Sequence, residues 1–475
     1  MRPVANADRD TARSASAELA PAQPCRTAPQ RAPKFLVMTS IRALADEHWE
    51  GRGDLVHTHH PVQPVHHFHD DGTHSIVTEE IDENLLTLKS IASVNALDTG
   101  DGLVMLDTGG AFDRQIVHDA VRGWRPNDPV VAAIYSHHHI DHVLGTALFD
   151  SEAGEKGWPK PVVYAHQDLP DHFRRYEKTV GWNTAINRRQ FAIDIPGWSF
   201  PGDYRDPDVT YADHLTFTRG DLTFELHHAR GETDDATWTF VPETKVLHPG
   251  DLFIWAVPNA GNPQKVQRYL SDWAAALRQM AALQPEIMLS GHGLPIFGSE
   301  RVVPALLDTA ELLDTLESQT LALMNQGKNL DTVIHEVEIP AHLRDKPYLR
   351  PVYDHPQFLV RNVWRRYGGW YEGEPDNLLP APRAQQAGEW IALAGGVSSV
   401  LSRAEKLIAD GDARMACHLV EYAALAEPDN DEVWAVRAAA YRAHSAEHES
   451  SMARNILHHA ALASEERKRD LAGDY

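Results

Sequence analysis

The chain has 475 residues, 43% of them apolar and 24% charged, long enough to bury a core without covalent staples. Its two cysteines, Cys25 and Cys417, can build neither a disulfide framework nor a thiolate zinc finger. A formal net charge of −24 disfavours nucleic acid and anionic lipid as partners, and no apolar run approaches the roughly 18 residues of a membrane span.

Residues 1–33 are rich in Ala, Arg and Pro without apolar periodicity, and read as a mobile arm. They contain no apolar stretch of the kind a secretory signal needs, so cytoplasmic residence is expected. A second segment, 34–75, carries between His57 and His74 seven histidines (57, 59, 60, 66, 67, 69 and 74) interleaved with Pro61, Pro64 and Gly72. It reads as a wrapping loop or short edge whose histidines lack the interleaved acids of a defined site.

From about residue 76 the pattern turns to alternating strands and helices. Extended runs at 85–97 and 103–106 flank the turn Asp98-Thr99-Gly100-Asp101-Gly102 and form a hairpin ending at Asp107. A helix over 113–124 and a buried strand over 129–135 follow. Strands at 162–164, around the turn at 219–221, at 237–241 and at 246–247, a helix over 264–282 and a strand at 286–290 complete a mixed α/β domain over 76–300. Beyond it, 301–380 is a helical and aromatic connector through Trp370-Tyr371-Glu372-Gly373-Glu374-Pro375. Residues 381–475 carry Ala at helical spacing and read as stacked helical hairpins of tetratricopeptide type.

The chemistry concentrates where the strand at 129–135 ends, in Ser136-His137-His138-His139-Ile140-Asp141-His142. In an extended turn residues two apart point the same way, so His137 and His139 can hold one divalent ion while Asp141 and His142 face a second. Imidazole with carboxylate suits zinc and its near neighbours rather than calcium or magnesium. A tag-like accident would sit at a terminus, not behind a buried strand.

This H-x-H-x-D-H sequence resembles the metallo-β-lactamase superfamily, which implies a four-layer αβ/βα sandwich and further ligands at three later strand ends. By that resemblance the last is His292 in Ser290-Gly291-His292-Gly293, and the bridging acid is Asp251 in His248-Pro249-Gly250-Asp251. Where the superfamily usually places a His, this chain reads Arg230-Gly231-Glu232-Thr233. Glu232 resembles the alkylsulfatase branch, as does its 19-residue separation from Asp251. His227 or His228, displaced by a register slip, is the competing ligand; Asp234 and Asp235 are either partners behind the ligands or a charged loop.

The segment 183–189, ending in Arg188-Arg189, and the stretch 366–378 also resemble that branch, whose helical domain dimerises. The resemblance implies two divalent ions, most simply zinc: His137, His139 and Glu232 on one, Asp141, His142 and His292 on the other, Asp251 bridging. It further implies a homodimer and hydrolysis of a small-molecule sulfate ester or related anionic ester by a hydroxide generated on the metals. Asp141 and Asp251 are the candidate catalytic residues; Arg188, Arg189, Asn259 and Asn262 are candidates for substrate binding.

Three departures widen the reading. The branch's sulfate-gripping stretch after the bridging acid is replaced by residues 252–262, and its Ser-His-Asn ahead of the connector is missing. No counterpart of its sterol-carrier-like domain appears before Tyr475, so a short or polar alcohol portion is expected. The alternatives are a lactonase, thioesterase or phosphodiesterase of the same superfamily, or an inactive dimeric scaffold.

Overall fold

The computed structural model describes residues 40–472 except 53–59, 61–65, 69–73 and 194. The arm at 1–33 and most of the His-rich tract therefore lie outside the described residues. Within the tract, β1 (His66–Phe68) pairs antiparallel with β2 (His74–Ile76), and the carbonyl of the buried His60 accepts a 3.4 Å contact from Lys89 Nζ.

Two sheets form the centre. In the first, β3 (Thr78–Asp82), β4 (Leu85–Lys89), β5 (Ser93–Asp98), β6 (Leu103–Leu106), β7 (Val130–Ile134), β8 (Val162–His166) and β9 (Val209–Tyr211) lie in chain order. The pairs from β3 to β6 are antiparallel and those from β6 to β9 parallel. In the second, β10 (His214–Arg219), β11 (Leu222–Ala229), β12 (Ala236–Val241), β13 (Val246–Ile254), β14 (Ile287–His292) and β15 (Ile296–Phe297) are also in chain order, only β13 and β14 running parallel.

The period-two geometry of a strand explains why β6 is apolar at every position. Leu103 and Met105 face a core shared with outer helices, while Val104 and Leu106 face the core between the sheets. The outer helices are α1 (Ile41–Trp49) against the second sheet and α2 (Arg114–Trp124), α3 (Ile140–Val143), α4 (Thr146–Lys156) and α5 (Leu169–Lys178) on the side of the first, followed by α6 (Val180–Phe191). The result is the helix-sheet-sheet-helix sandwich expected from the sequence.

The helix expected over 264–282 begins only at α7 (Leu270–Ala282). Tertiary contacts take the backbone of the missing turns: Tyr269 N donates to Gly231 O at 3.1 Å and Arg268 N to Asn362 Oδ1 at 3.4 Å. The segment after 300 is no free connector. Helices α8 (Ser299–Asn325), α9 (Leu330–Glu336), α10 (Ala341–Arg344) and α11 (Pro356–Gly368) contribute residues such as Leu306, Leu313, Leu343 and Leu359 to the core behind the second sheet.

The last five helices, α12 (Arg383–Leu393), α13 (Val397–Ala409), α14 (Ala413–Ala426), α15 (Asp431–Ala446) and α16 (Ser451–Glu465), pack largely on one another. Small residues at the crossings, among them Ala404, Ala416, Ala423 and Ala440, allow the close approach. α16 also rests on α6 of the sandwich. No helix among the described residues is long and apolar enough to cross a membrane.

Candidate metal centre

The parallel pairs β6/β7 and β13/β14 bring their C-terminal ends to the same edge of the sandwich, the edge at which open α/β sheets hold their sites. His137 and His139 follow β7, Asp141 and His142 lie on α3, Glu232 follows β11, Asp251 sits at an irregularity of β13, and His292 ends β14. Two glycines make the crowding possible. A Cβ on Gly291 would stand 2.3 Å from Asp251 Oδ1, and one on Gly250, whose φ is +53°, 2.6 Å from Ser136 Cβ.

The seven side chains form two groups that meet at Asp251. In one, His137 Nε2 is 2.8 Å from His139 Nδ1 and 3.7 Å from Asp251 Oδ2, and His139 Nδ1 is 3.7 Å from Glu232 Oε1. In the other, His292 Nε2 is 3.3 Å from Asp251 Oδ2 and 3.4 Å from Asp141 Oδ2. There His142 Nε2 lies 3.3 Å from Asp251 Oδ1 and 3.8 Å from Asp141 Oδ2. A tetrahedral ion with bonds of about 2.0–2.1 Å separates neighbouring donor atoms by about 3.3 Å, the dimension of three gaps in the second group, Asp251 to His292 and to His142 and Asp141 to His292.

The polar bookkeeping points the same way. His142 Nε2, Asp251 Oδ1 and Glu232 Oε2 are buried and have no hydrogen-bond partner, an arrangement that is costly without a cation. Burial holds His137 down at about 4 and His139 well below its ordinary value, so both rings are neutral, as metal ligands must be. Burial and the adjacent Asp251 hold the Glu232 carboxyl well above the carboxylate range. Burial also opposes ionisation of His142 and Asp251, yet Asp251, Asp107 and Asp141 hold His142 well above its usual value, and His292 and His142 hold Asp251 well below. The donor set therefore fits divalent ions.

Behind the ligands stand residues that motif reading did not assign. Asp107, in the left-handed region at φ +57°, receives Ser136 N, Ser136 Oγ and His142 Nδ1, each at 2.7 Å. It thereby turns His142 Nε2 toward Asp251, the orienting role that a carboxylate behind a ligating His performs. His292 Nδ1 is fixed by Ile91 O at 2.6 Å. Arg268, buried, lies 3.4 Å from Glu232 Oε1 and also donates to the Glu232 carbonyl. The only signal for Asp107 was its place at the end of a strand; Arg268 carried none.

The other candidates divide. Asn259 is buried and donates through Nδ2 to Glu232 Oε1. Asn262 is buried in a different network, donating to Gln190 Oε1 at 3.1 Å. Arg188 donates to Ile195 O at 3.1 Å, and Arg189 pairs with Asp470 at 2.5 Å and Gln264 at 3.3 Å. Both guanidinium groups are thus engaged within the chain, and their part in substrate binding stays an expectation. His227 stacks on Trp238, and His228 stacks on His166 and contacts Asp234 O, whereas Glu232 reaches His139. Asp235 and Asp234 pair with His138 and His172, both at 2.8 Å.

A four-layer sandwich with this turn at its strand ends defines the metallo-β-lactamase class, and residues 90–292 match the metallo-beta-lactamase superfamily. Residues 329–467 match the alkyl sulfatase dimerisation family, beginning well before the last five helices. The chain is 28% identical over 364 residues to a linear primary-alkylsulfatase of Pseudomonas sp. (strain ATCC 19151), covering 73% of this chain and 69% of that protein. It is 27% identical over 391 residues to an (R)-specific secondary-alkylsulfatase of Pseudomonas sp., covering 77% and 58%. The solved structure of a stereoselective inverting sec-alkylsulfatase from Pseudomonas sp. superposes with a TM-score of 0.74 at 25% identity, over 82% of this chain and 66% of that one. The chain thus joins a metallo-β-lactamase-like domain to one like the alkyl sulfatase dimerisation family, and it is similar to alkylsulfatases across both. It spans only part of the length of each of these relatives.

Proposed function

We propose that this protein is a metal-dependent hydrolase of organic sulfate esters, working through the seven-residue cluster. The observation that carries the proposal is the meeting of two ligand groups at Asp251, with orphaned donor atoms on both sides, in a chain similar to alkylsulfatases across both its domains. His137, His139 and Glu232 would hold one ion, Asp141, His142 and His292 the other, with Asp251 between them. Two zinc ions would lower the pKa of an attacking water and neutralise charge on the sulfate oxygens.

The chain's own residues supply the rest. Asp141, the most exposed of the seven at 29%, stands at the mouth, where its carboxylate can take up the proton of the attacking water. Asp107 and Ile91 O fix the tautomers of His142 and His292 by occupying their Nδ1 atoms. Arg268 and Asn259 hold Glu232, whose carboxyl would otherwise be repelled by Asp251. A second reading, a lactonase or phosphodiesterase, is favoured by one observation: Leu252, Phe253, Trp255 and Val257 are buried in the core and offer no polar grip on a sulfate.

The test is sulfate release by metal-loaded protein from short alkyl and aryl sulfates, beside matched phosphate esters and lactones. Turnover of sulfates above the other two classes is expected. Turnover of lactones or phosphates alone would replace the sulfatase reading with the second. The homodimer implied by the helical domain belongs to the same proposal, and a monomer by light scattering would contradict it.

A further inference from the structure

A second candidate binding site lies among the last five helices, apart from the metal cluster. Helix α14 presents Arg414, His418 and Glu421 at i, i+4 and i+7, and α15 presents Arg437, Tyr441 and His444 at the same spacing. Such spacing places each trio on one helix face. These faces, with Arg383 from the start of α12 and Arg469 beyond α16, line a cavity of about 450 Å³. It holds four guanidinium groups, buried at Arg437 and exposed at Arg383 and Arg414, and a single carboxylate.

That carboxylate is already saturated. Glu421 receives Arg437 at 2.6 Å, Arg469 at 2.9 Å and the Tyr441 hydroxyl at 2.8 Å. Burial would raise its pKa, yet the arginines outweigh burial and hold it below the usual range. Arg437 is further engaged by Ala460 O and Ser464 Oγ, so Glu421, Arg437 and Tyr441 form a fixed floor. Arg383 and Arg414 have no carboxylate partner among the described residues, Arg414 donating only to Gln357 Oε1 at 3.2 Å. Arg469 Nε is buried with no hydrogen-bond partner. In a chain of net charge −24 such a local cationic excess is unusual. The volume suits an organic molecule better than one inorganic ion.

We propose that this cavity binds a small organic anion with at least two acidic groups, phosphate or carboxylate, through Arg383, Arg414 and the Nε of Arg469. Charge-assisted bonds of this kind are strong and weaken with salt.

The test is calorimetric titration of metal-loaded, full-length protein with glucose 6-phosphate and with succinate, glucose serving as the neutral control. One saturable site per chain is expected for at least one dianion and none for glucose, and which dianion binds tells phosphate from carboxylate. Affinity should fall about tenfold or more in Arg383→Ala/Arg414→Ala, with ester hydrolysis unchanged, and should persist in the metal-cluster variant His139→Ala. The proposal is overturned if neither dianion saturates, if binding survives the double substitution, or if it vanishes in His139→Ala. It is equally overturned if the double substitution only dissociates a dimer, because the cavity would then seat a second copy.

Discussion

Two histidine-carboxylate clusters lie side by side at the edge of the sandwich, and one residue separates their members in sequence. His137 and His139 belong to the first; His138 points the other way, its Nδ1 2.8 Å from buried Asp235 and its Nε2 accepting Arg175 Nη2 at 3.0 Å. His172 stacks against His138 with ring centroids 4.4 Å apart and pairs with Asp234. Both clusters have metal-ligand composition and close spacing. What differs is satisfaction. Both nitrogens of His138 are used, so its ring is a strut for Arg175, and around it Asp235 Oδ2 and His172 Nε2, the latter 2.8 Å from Asp234 Oδ1, are buried without a hydrogen bond; in the first cluster Nε2 of His142 itself and a carboxylate oxygen on each of Asp251 and Glu232 are buried without one. Composition nominates both groups, and the central ring, spent on both nitrogens at His138 and open at Nε2 in His142, separates them.

The sharpest way to break that contrast is substitution on each side. His139→Ala and Asp251→Ala each remove a proposed ligand; bound metal should fall and turnover drop to near background, read by elemental analysis and ester hydrolysis. Full metal content and activity in both would refute the assignment. Asp107→Asn keeps the shape but weakens the support of His142, and metal affinity should fall by about 10–100-fold in a competition titration with a chelator. In Asp235→Ala metal content should stay at the wild-type level while thermal stability drops. An unpaired buried partner costs about 3–5 kcal/mol, which denaturant unfolding would register.

The smallest effect concerns a third pair of the saturated kind. Asp470 accepts His459 Nε2 at 2.9 Å and Ala472 N at 2.8 Å and pairs with Arg189 of α6. Burial opposes its ionisation, but the His459 hydrogen bond, the Ala472 amide and Arg189 prevail and hold the carboxyl at about 2. A depressed carboxyl contributes stability that is complete above its unfolded value, about 3.9, and is lost as pH falls toward 2. Melting curves from pH 6 to pH 2.5 should therefore show a smaller acid loss in Asp470→Asn than in the parent chain. Parallel losses would remove this contribution.

Much of this was legible in the sequence because the ligands sit in short motifs at strand ends, where glycine and histidine adjoin apolar runs. The hairpin at 98–102, the strand before Ser136 and the strand before His292 follow from local pattern alone. What was not legible is tertiary. Asp107 reaches Ser136 across 29 positions, Arg268 comes to Glu232 from an irregular segment that reads as helix, and Arg189 is claimed by Asp470 from the far end of the chain. Helices after residue 300 show an apolar stripe, but a stripe does not say which core it will cover. The polar faces of α14 and α15 form an i, i+4, i+7 pattern that the denser alanine spacing on the same helices masks.

Anomalous scattering at the zinc edge from crystals grown with zinc tests the central assignment most directly. Two peaks are expected, one among His137, His139 and Glu232 and one among Asp141, His142 and His292, with Asp251 between them and none at His138, His172 and Asp235. A peak in the His138 cluster, or an empty seven-residue cluster under saturating zinc, would contradict it.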